Sequence, residues 1–169
     1  MWIDRELGAA LLRVGGSFSA LLLTGPRQVG KTSLLRHAYP EASYVTLDDA
    51  SEAARATSNP AEFVASFSRP LIIDEVQYAP RLFRSLKAEI DRKRDQNGQY
   101  YLTGSQKFVL MQNVTESLAG RVAVLNCHSL SAMEIEKWSR KSVEGGELLE
   151  LIFRFSLQLT SIRSSYFIY

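Results

Sequence analysis

The chain is poor in the residues that staple or ligate. It has one cysteine, Cys127, which can close no internal disulfide and can supply no cysteine-based metal cage. The fold must therefore rest on an ordinary apolar core, which fits a reducing compartment. Its two histidines, His37 and His128, are too isolated to suggest a metal site or an acid–base pair. No apolar run approaches the ~18 residues that a bilayer span requires. The opening MWIDRELGAALLRVGG sets an acid and bases among apolar residues, the pattern of an amphipathic helix and not of a signal peptide. With no address signal, the expectation is a cytoplasmic protein without a membrane partner. A one-sided charge is missing too. Twenty basic residues face 18 acidic ones, a net charge of +2, so there is no domain-wide nucleic-acid footprint.

What is present is one domain's worth of chain. At 169 residues and 46% hydrophobic content it can bury a real core. ALLLT (20–24) is a short apolar run of buried-strand type, followed by a helix opening at KTSLLRHA (31–38). SYVTLDD (43–49), PLIIDE (70–75), GQYYLTGS (98–105) and RVAVLNC (121–127) read as four further strands. NPAEFVASF (59–67) predicts a helix capped by Asn59 with Pro60 at its first position. PRLFRSLKAEIDRKR (80–94) carries apolar residues near helical spacing. Ser131 and Glu134 form a capping box before a short helix over 131–138. Five strands with helical segments between them predict an α/β fold with a largely parallel sheet.

The chemistry centres on GPRQVGKT (25–32), which matches G-x-x-x-x-G-K-[ST] in full and lies between a strand and a helix. Glycines let the backbone turn so that successive N–H groups cradle phosphate oxygens, and the following helix aims its positive end at the same anion. The candidate nucleotide-binding set is Gly25, Pro26, Arg27, Gln28, Val29 and Gly30, with Lys31, Thr32 and Ser33 opening the helix. Lys31 is placed to reach the β and γ phosphates, and the Thr32 hydroxyl to bind Mg²⁺. Arg27 can point to solvent or to a phosphate.

Three further segments converge on the same reaction. LIIDE (71–75) delivers Asp74 to a strand end as a carboxylate for the Mg²⁺ shell. Glu75 follows, placed to orient or deprotonate a water attacking the γ-phosphate. LDD (47–49) competes, but Asp48 and Asp49 read better as turn or cap residues. YLTGS (101–105) sets Thr103 and Ser105 near the sheet edge where α/β ligands bind, as a hydroxyl for the γ-phosphate or its water, or as a cap for a helix near Gln106. Arg121, in LAGR, is either an arginine that reaches a γ-phosphate in its own subunit or a neighbour's, or a surface residue. The six bases between residues 81 and 94 read as a solvated helix face before a nucleic-acid contact.

Together LLLTGPRQVGKTSLL, LIIDEVQYAPRLFRSLKAEIDR, YYLTGSQ and SLAGRVAVLNCHSLSAMEI resemble the prokaryotic AAA-type ATPases of the P-loop superfamily. The branch in question has a GPRQVGKT loop, a DEVQ Walker B motif and an LTGS…SLAGR segment, usually ahead of a C-terminal domain of unknown function. The resemblance implies a three-layer P-loop NTPase sandwich, a largely parallel five-stranded sheet with helices on both faces. It also implies that the fourth strand lies between the loop strand and the Walker B strand. Gly25, Gly30, Lys31 and Thr32 would be the Walker A loop, Asp74 and Glu75 the Walker B carboxylates, Ser105 or Thr103 a sensor, and Arg121 a finger or sensor. ATP and Mg²⁺ are the implied substrate and cofactor. The likeness covers residues 1–138, the expected ATPase core, and leaves 139–169 as a truncated or aberrant tail. Self-assembly or a protein partner is expected through the region that such relatives carry beyond it.

The leading expectation is ATP hydrolysis that drives a conformational or assembly change. A nucleotide-dependent switch or DNA-associated adaptor with negligible hydrolysis is the alternative, and a small-molecule kinase the third. The absence of an N-K-x-D stretch leans toward ATP over GTP.

Overall fold

The computed structural model describes residues 2–105, 110–112, 114 and 117–144. Arg5–Ser129 form one compact unit; among the described residues the second joins residues 2–4 to 130–144.

Three strands of the first unit are buried throughout: β1 (Ala20–Thr24), β3 (Leu71–Asp74) and β4 (Tyr100–Gly104). That is the signature of central strands in a parallel sheet covered on both faces. The partly exposed β2 (Ser43–Thr46) and β5 (Val122–Asn126) form its edges. The order is β2-β3-β4-β1-β5 with every pairing parallel, so β4 does lie between β1 and β3. Because all five strands run the same way, their C-terminal ends share one edge. Thr24 pairs with Gly104 and Asn126, and Thr46 with Asp74.

Alternation along the strands builds two cores. Ala20, Leu22, Leu71, Ile73, Tyr100 and Leu102 face one side. They meet Ala56 of α3 (Ala50–Ser58), Phe63 and Val64 of α4 (Pro60–Ala65), and Leu82, Phe83, Leu86 and Ile90 of α5 (Leu82–Arg92). Leu21, Leu23 and Ile72 face the other side and are fully buried. There α1 (Glu6–Gly15) packs on β1, and α2 (Lys31–Ala38) on β3 and β4. Each fully buried leucine or isoleucine stabilises by roughly 1.5–3 kcal/mol over exposure. The Tyr39 ring stacks on Tyr101 with centroids 3.7 Å apart, and its hydroxyl donates to the Leu11 carbonyl at 3.1 Å. A Cβ at Gly15 would stand 2.1 Å from that hydroxyl, so the close approach of α1 requires glycine.

Local signals act as expected at several termini. Asn59 accepts from the Glu62 N–H at 3.4 Å, with Pro60 opening α4. In the second unit, Ser131 and Glu134 exchange hydrogen bonds at 2.7 and 3.1 Å ahead of α6 (Ala132–Glu144), which is longer than the short helix expected.

Other boundaries differ. The second strand ends at Thr46 instead of reaching residue 49, because Asp49 turns to cap α3 through the Ser51 N–H at 2.8 Å. Helix α3 was not legible in the sequence. ASEAARATS buries only Ala56, so no apolar stripe announces it. A single 3₁₀ turn (Val76–Tyr78) follows β3. The cap proposed near Gln106 and the segment from 145 onward lie outside the described residues. Among the described residues no helix is long and apolar enough to cross a membrane.

Candidate nucleotide-binding site

The loop leaves β1 at Gly25 with φ +146°, where a Cβ would stand 2.1 Å from the Cys127 carbonyl oxygen. Close approach to the end of β5 thus dictates glycine. Gly30, at φ +87°, is the residue before the first turn of α2. Gln28 also takes a left-handed conformation, at φ 61°. Arg5 ties the loop from outside, donating to the carbonyls of Val29 at 2.9 Å and His128 at 2.6 Å.

Lys31 is 4% exposed, and its Nζ donates to the carbonyls of Gly25 at 3.0 Å and Pro26 at 2.7 Å. Among the described residues no carboxylate pairs with it. An ammonium has three donors, so one N–H remains for a further acceptor. A buried cation without a counter-charge is unfavourable, and an anion held in the loop would supply that charge. Pro26, Arg27, Gln28 and Ser33 are exposed. Arg27 donates to the Tyr78 hydroxyl at 3.0 Å, on the 3₁₀ turn.

Asp74 closes β3 directly opposite Thr32. Its Oδ1 accepts from the Thr32 hydroxyl at 2.6 Å and from the Thr103 hydroxyl. Its Oδ2 accepts from the hydroxyls of Tyr44 at 3.3 Å and Thr46 at 3.5 Å. Burial, and then the Asp74 charge, push the Tyr44 phenol above its ordinary pKa, so it stays a donor. The carboxylate is therefore held by hydroxyls from two strands, β2 and β4, and from the helix α2.

Glu75 adopts left-handed backbone angles, φ 54° and ψ 48°. Its N–H donates to the Thr103 hydroxyl at 3.0 Å. Its Oε2 accepts from the Ser105 hydroxyl at 3.1 Å and from the Gln77 amide. The two hydroxyls of YLTGS thus divide the work. Thr103 holds Asp74 and the Glu75 backbone, while Ser105 holds the Glu75 carboxylate.

The structure brings together Lys31, Thr32, Asp74, Glu75, Thr103 and Ser105. It does not bring Arg121 to them within the chain. Arg121 precedes β5 at the opposite end of the sheet, its carbonyl accepting from the Ala20 N–H. Five strand residues separate that edge from the loop, about 16 Å of rise. Its guanidinium pairs with Asp91, with Nε to Oδ1 at 2.6 Å, and holds the Asp91 carboxyl below its usual range. The reading of Arg121 as reaching a phosphate in its own subunit is therefore corrected by geometry: the parallel register puts it at the wrong end. Asp48 lies in the turn after β2, its N–H donating to the Thr46 hydroxyl at 3.2 Å, and Asp49 caps α3, as expected. In the basic stretch, Arg92 pairs with Glu89 at 2.6 Å and Arg94 with Asp91 at 3.8 Å, as on a solvated face.

Sequence reasoning missed Arg5, Tyr44, Thr46 and Gln77. The alternation of Tyr44 and Thr46 on β2 could have flagged one polar face. Gln77, two residues past Glu75 in DEVQ, was visible but carried no geometric signal.

Comparison with known proteins bears on the family and the fold. A family model described as an AAA domain matches residues 17–136. Uncharacterized proteins of Mycobacterium tuberculosis and Mycobacterium bovis are each 33% identical over 132 residues, 78% of this chain. The match spans only 30% of either relative's length. Among solved structures, a Walker-type ATPase of Pyrococcus abyssi superposes with TM-score 0.55 at 19% identity, covering 86% of this chain and 59% of that one. A DNA replication initiation factor superposes with TM-score 0.53 at 16% identity, covering 83% and 49%. Identities so low bear on the fold alone. By the family model that matches most of its length, with the fold in agreement, the chain belongs to the AAA family of P-loop ATPases.

Proposed function

We propose that this chain binds ATP with Mg²⁺ and hydrolyses it to ADP and phosphate, using the cycle to drive a conformational or assembly change. The observation that carries the reading is the 2.6 Å contact between the Thr32 hydroxyl and the Asp74 carboxylate. It joins the end of the phosphate-binding loop to the acid-bearing strand. These are hard oxygen donors, one hydroxyl and one carboxylate, a set that suits Mg²⁺ completed by phosphate oxygens and water. Thr32 and Asp74 would hold the ion, which supplies charge neutralisation on the phosphates when bound.

The chain's own residues do the rest. The loop N–H groups and the remaining Lys31 N–H bind the phosphate oxygens. Glu75 accepts the proton of a water as its oxygen bonds to the γ-phosphorus and the bond to the ADP oxygen breaks. Ser105 orients that carboxylate. Arg27, Gln28, Val29 and Ser33 line the loop's flank. Arg121 has a catalytic place only if it enters a neighbouring copy's site. A protein partner, self-assembly or a nucleic-acid contact would lie outside this site, and the match spans 30% of the length of the relatives.

ATP turnover and nucleotide-analogue binding by wild type and Glu75→Gln test the proposal. Wild type should release phosphate, and the variant should bind the analogue equally while turning over ~10²-fold or more slowly. If both bind and wild type shows no hydrolysis above background, the enzyme reading fails and a nucleotide-dependent switch takes its place.

A further inference from the structure

Gln77 is a polar residue in an apolar position. It sits in the 3₁₀ turn after β3 and is 6% exposed. Its Nε2 donates to Oε2 of Glu75 and, at 3.4 Å, to the Ser105 hydroxyl. Ser105 in turn donates to the same Oε2, so the three side chains form a closed triangle. The other end of the amide is buried with no hydrogen-bond partner among the described residues. It packs against Gly104, where an added Cβ would stand 2.6 Å from Oε1.

That half-satisfied state has a direct consequence. Leaving a buried carbonyl unpaired costs roughly 1–3 kcal/mol, which methionine or leucine of similar volume would avoid. Stability by itself therefore disfavours glutamine here, and the reason for the amide must lie at its nitrogen. The orientation is also fixed: a flipped amide would set its oxygen against the Glu75 carboxylate.

We infer that Gln77 is a positioning residue for the hydrolysis reaction, clamping Oε2 of Glu75 so that Oε1 is the oxygen that receives the proton of the attacking water. The inference rests on the ATPase reading and adds a residue to it. Glu75 is already set by its backbone, with left-handed angles and its N–H tied to Thr103. Residues held in such sparsely populated conformations cluster at functional sites. Among the described residues Oε1 accepts no hydrogen bond, so the clamp leaves one oxygen available and fixes its direction. A base held ready before substrate arrives needs no reorganisation in the transition state.

The test is a double-mutant cycle in steady-state ATP turnover, with a fluorescent ATP analogue reporting binding. Gln77→Met preserves volume and removes the donor. It should lower kcat about 10- to 100-fold, with KM and analogue affinity within about twofold of wild type. In the Glu75→Gln background the same substitution should lower turnover no further, because Gln77 acts only through that carboxylate. Gln77→Glu supplies a second readout. Its acid form can donate to Oε2 and its ionised form cannot, so its kcat relative to wild type should rise as pH is lowered from about 8 to 6. Wild-type kcat, or a higher one, in Gln77→Met overturns the inference. So does a further loss in the Glu75→Gln background, or a fall in analogue binding that matches the fall in turnover. A wild type that binds the analogue and releases no phosphate sinks the ATPase reading itself, a result separable from the others.

Discussion

Gly25→Ala isolates the contact that shapes the loop. The methyl group would sit 2.1 Å from the Cys127 carbonyl oxygen, about 0.9 Å inside the 3.0 Å that such contacts respect. Neither side can yield as a side chain would. The Cys127 N–H is held to the Thr24 carbonyl at 2.7 Å, and the Gly25 carbonyl receives Lys31 at 3.0 Å. At φ +146°, alanine also meets backbone strain of about 1–3 kcal/mol. Relief of the clash breaks the Cys127–Thr24 hydrogen bond, which adds about 1 kcal/mol. The sum is a destabilisation of about 2–4 kcal/mol. Gly30→Ala is the internal comparison. It too has positive φ, but its nearest neighbour is the Arg5 guanidinium at 3.7 Å, so only a backbone term of about 1–2 kcal/mol applies. In urea melts with a slope near ~2 kcal/mol per M, the Gly25 variant should unfold about 1–2 M earlier than wild type and the Gly30 variant about 0.5–1 M earlier. A Gly25→Ala midpoint at or above that of Gly30→Ala would refute the clash argument.

Two further outcomes follow from buried groups. Thr103→Val removes the donor to Asp74 and leaves the Glu75 N–H unpaired, so it should lower unfolding free energy by about 2–3 kcal/mol in urea melts and weaken Mg²⁺-dependent nucleotide binding; an unchanged midpoint would count against it. Tyr39 and Tyr101 have phenols raised above 10.0, by burial first, so the folded state keeps protons that the unfolded chain loses. Stability should be fully present below about pH 10 and fall as pH rises beyond it, and Tyr101→Phe should blunt that fall in urea midpoints measured from pH 8 to 11.

The central strands were legible because burial on both faces demands uniform apolarity, and ALLLT and LIID have it. Helix α3 was not, since a helix that buries one alanine writes no stripe into its sequence. The distinction between Thr103 and Ser105 was open in YLTGS, because two hydroxyls two residues apart point to the same strand face. The turn after the strand separates them: Thr103 stays in β4 beside Asp74, and Ser105, past the strand end, meets Glu75. Arg121 misled for a related reason. Its place in LAGR said nothing about which end of the sheet it would occupy.

Local chemistry was enough to specify that a phosphate loop stands between a strand and a helix, since glycine, lysine and threonine at that spacing act within a few residues of one another. An acid-bearing strand could be recognised by the same local logic. Which acid faces Thr32, which hydroxyl reaches which carboxylate, and which arginine is too far away depend on strand order and register. Those are set by the packing of helices on both faces of the sheet, through contacts between residues as far apart as Arg5 and His128. Gln77 belongs to that second kind: its amide acquires a meaning only when the turn after β3 folds it back onto Glu75 and β4 brings Ser105 beside it.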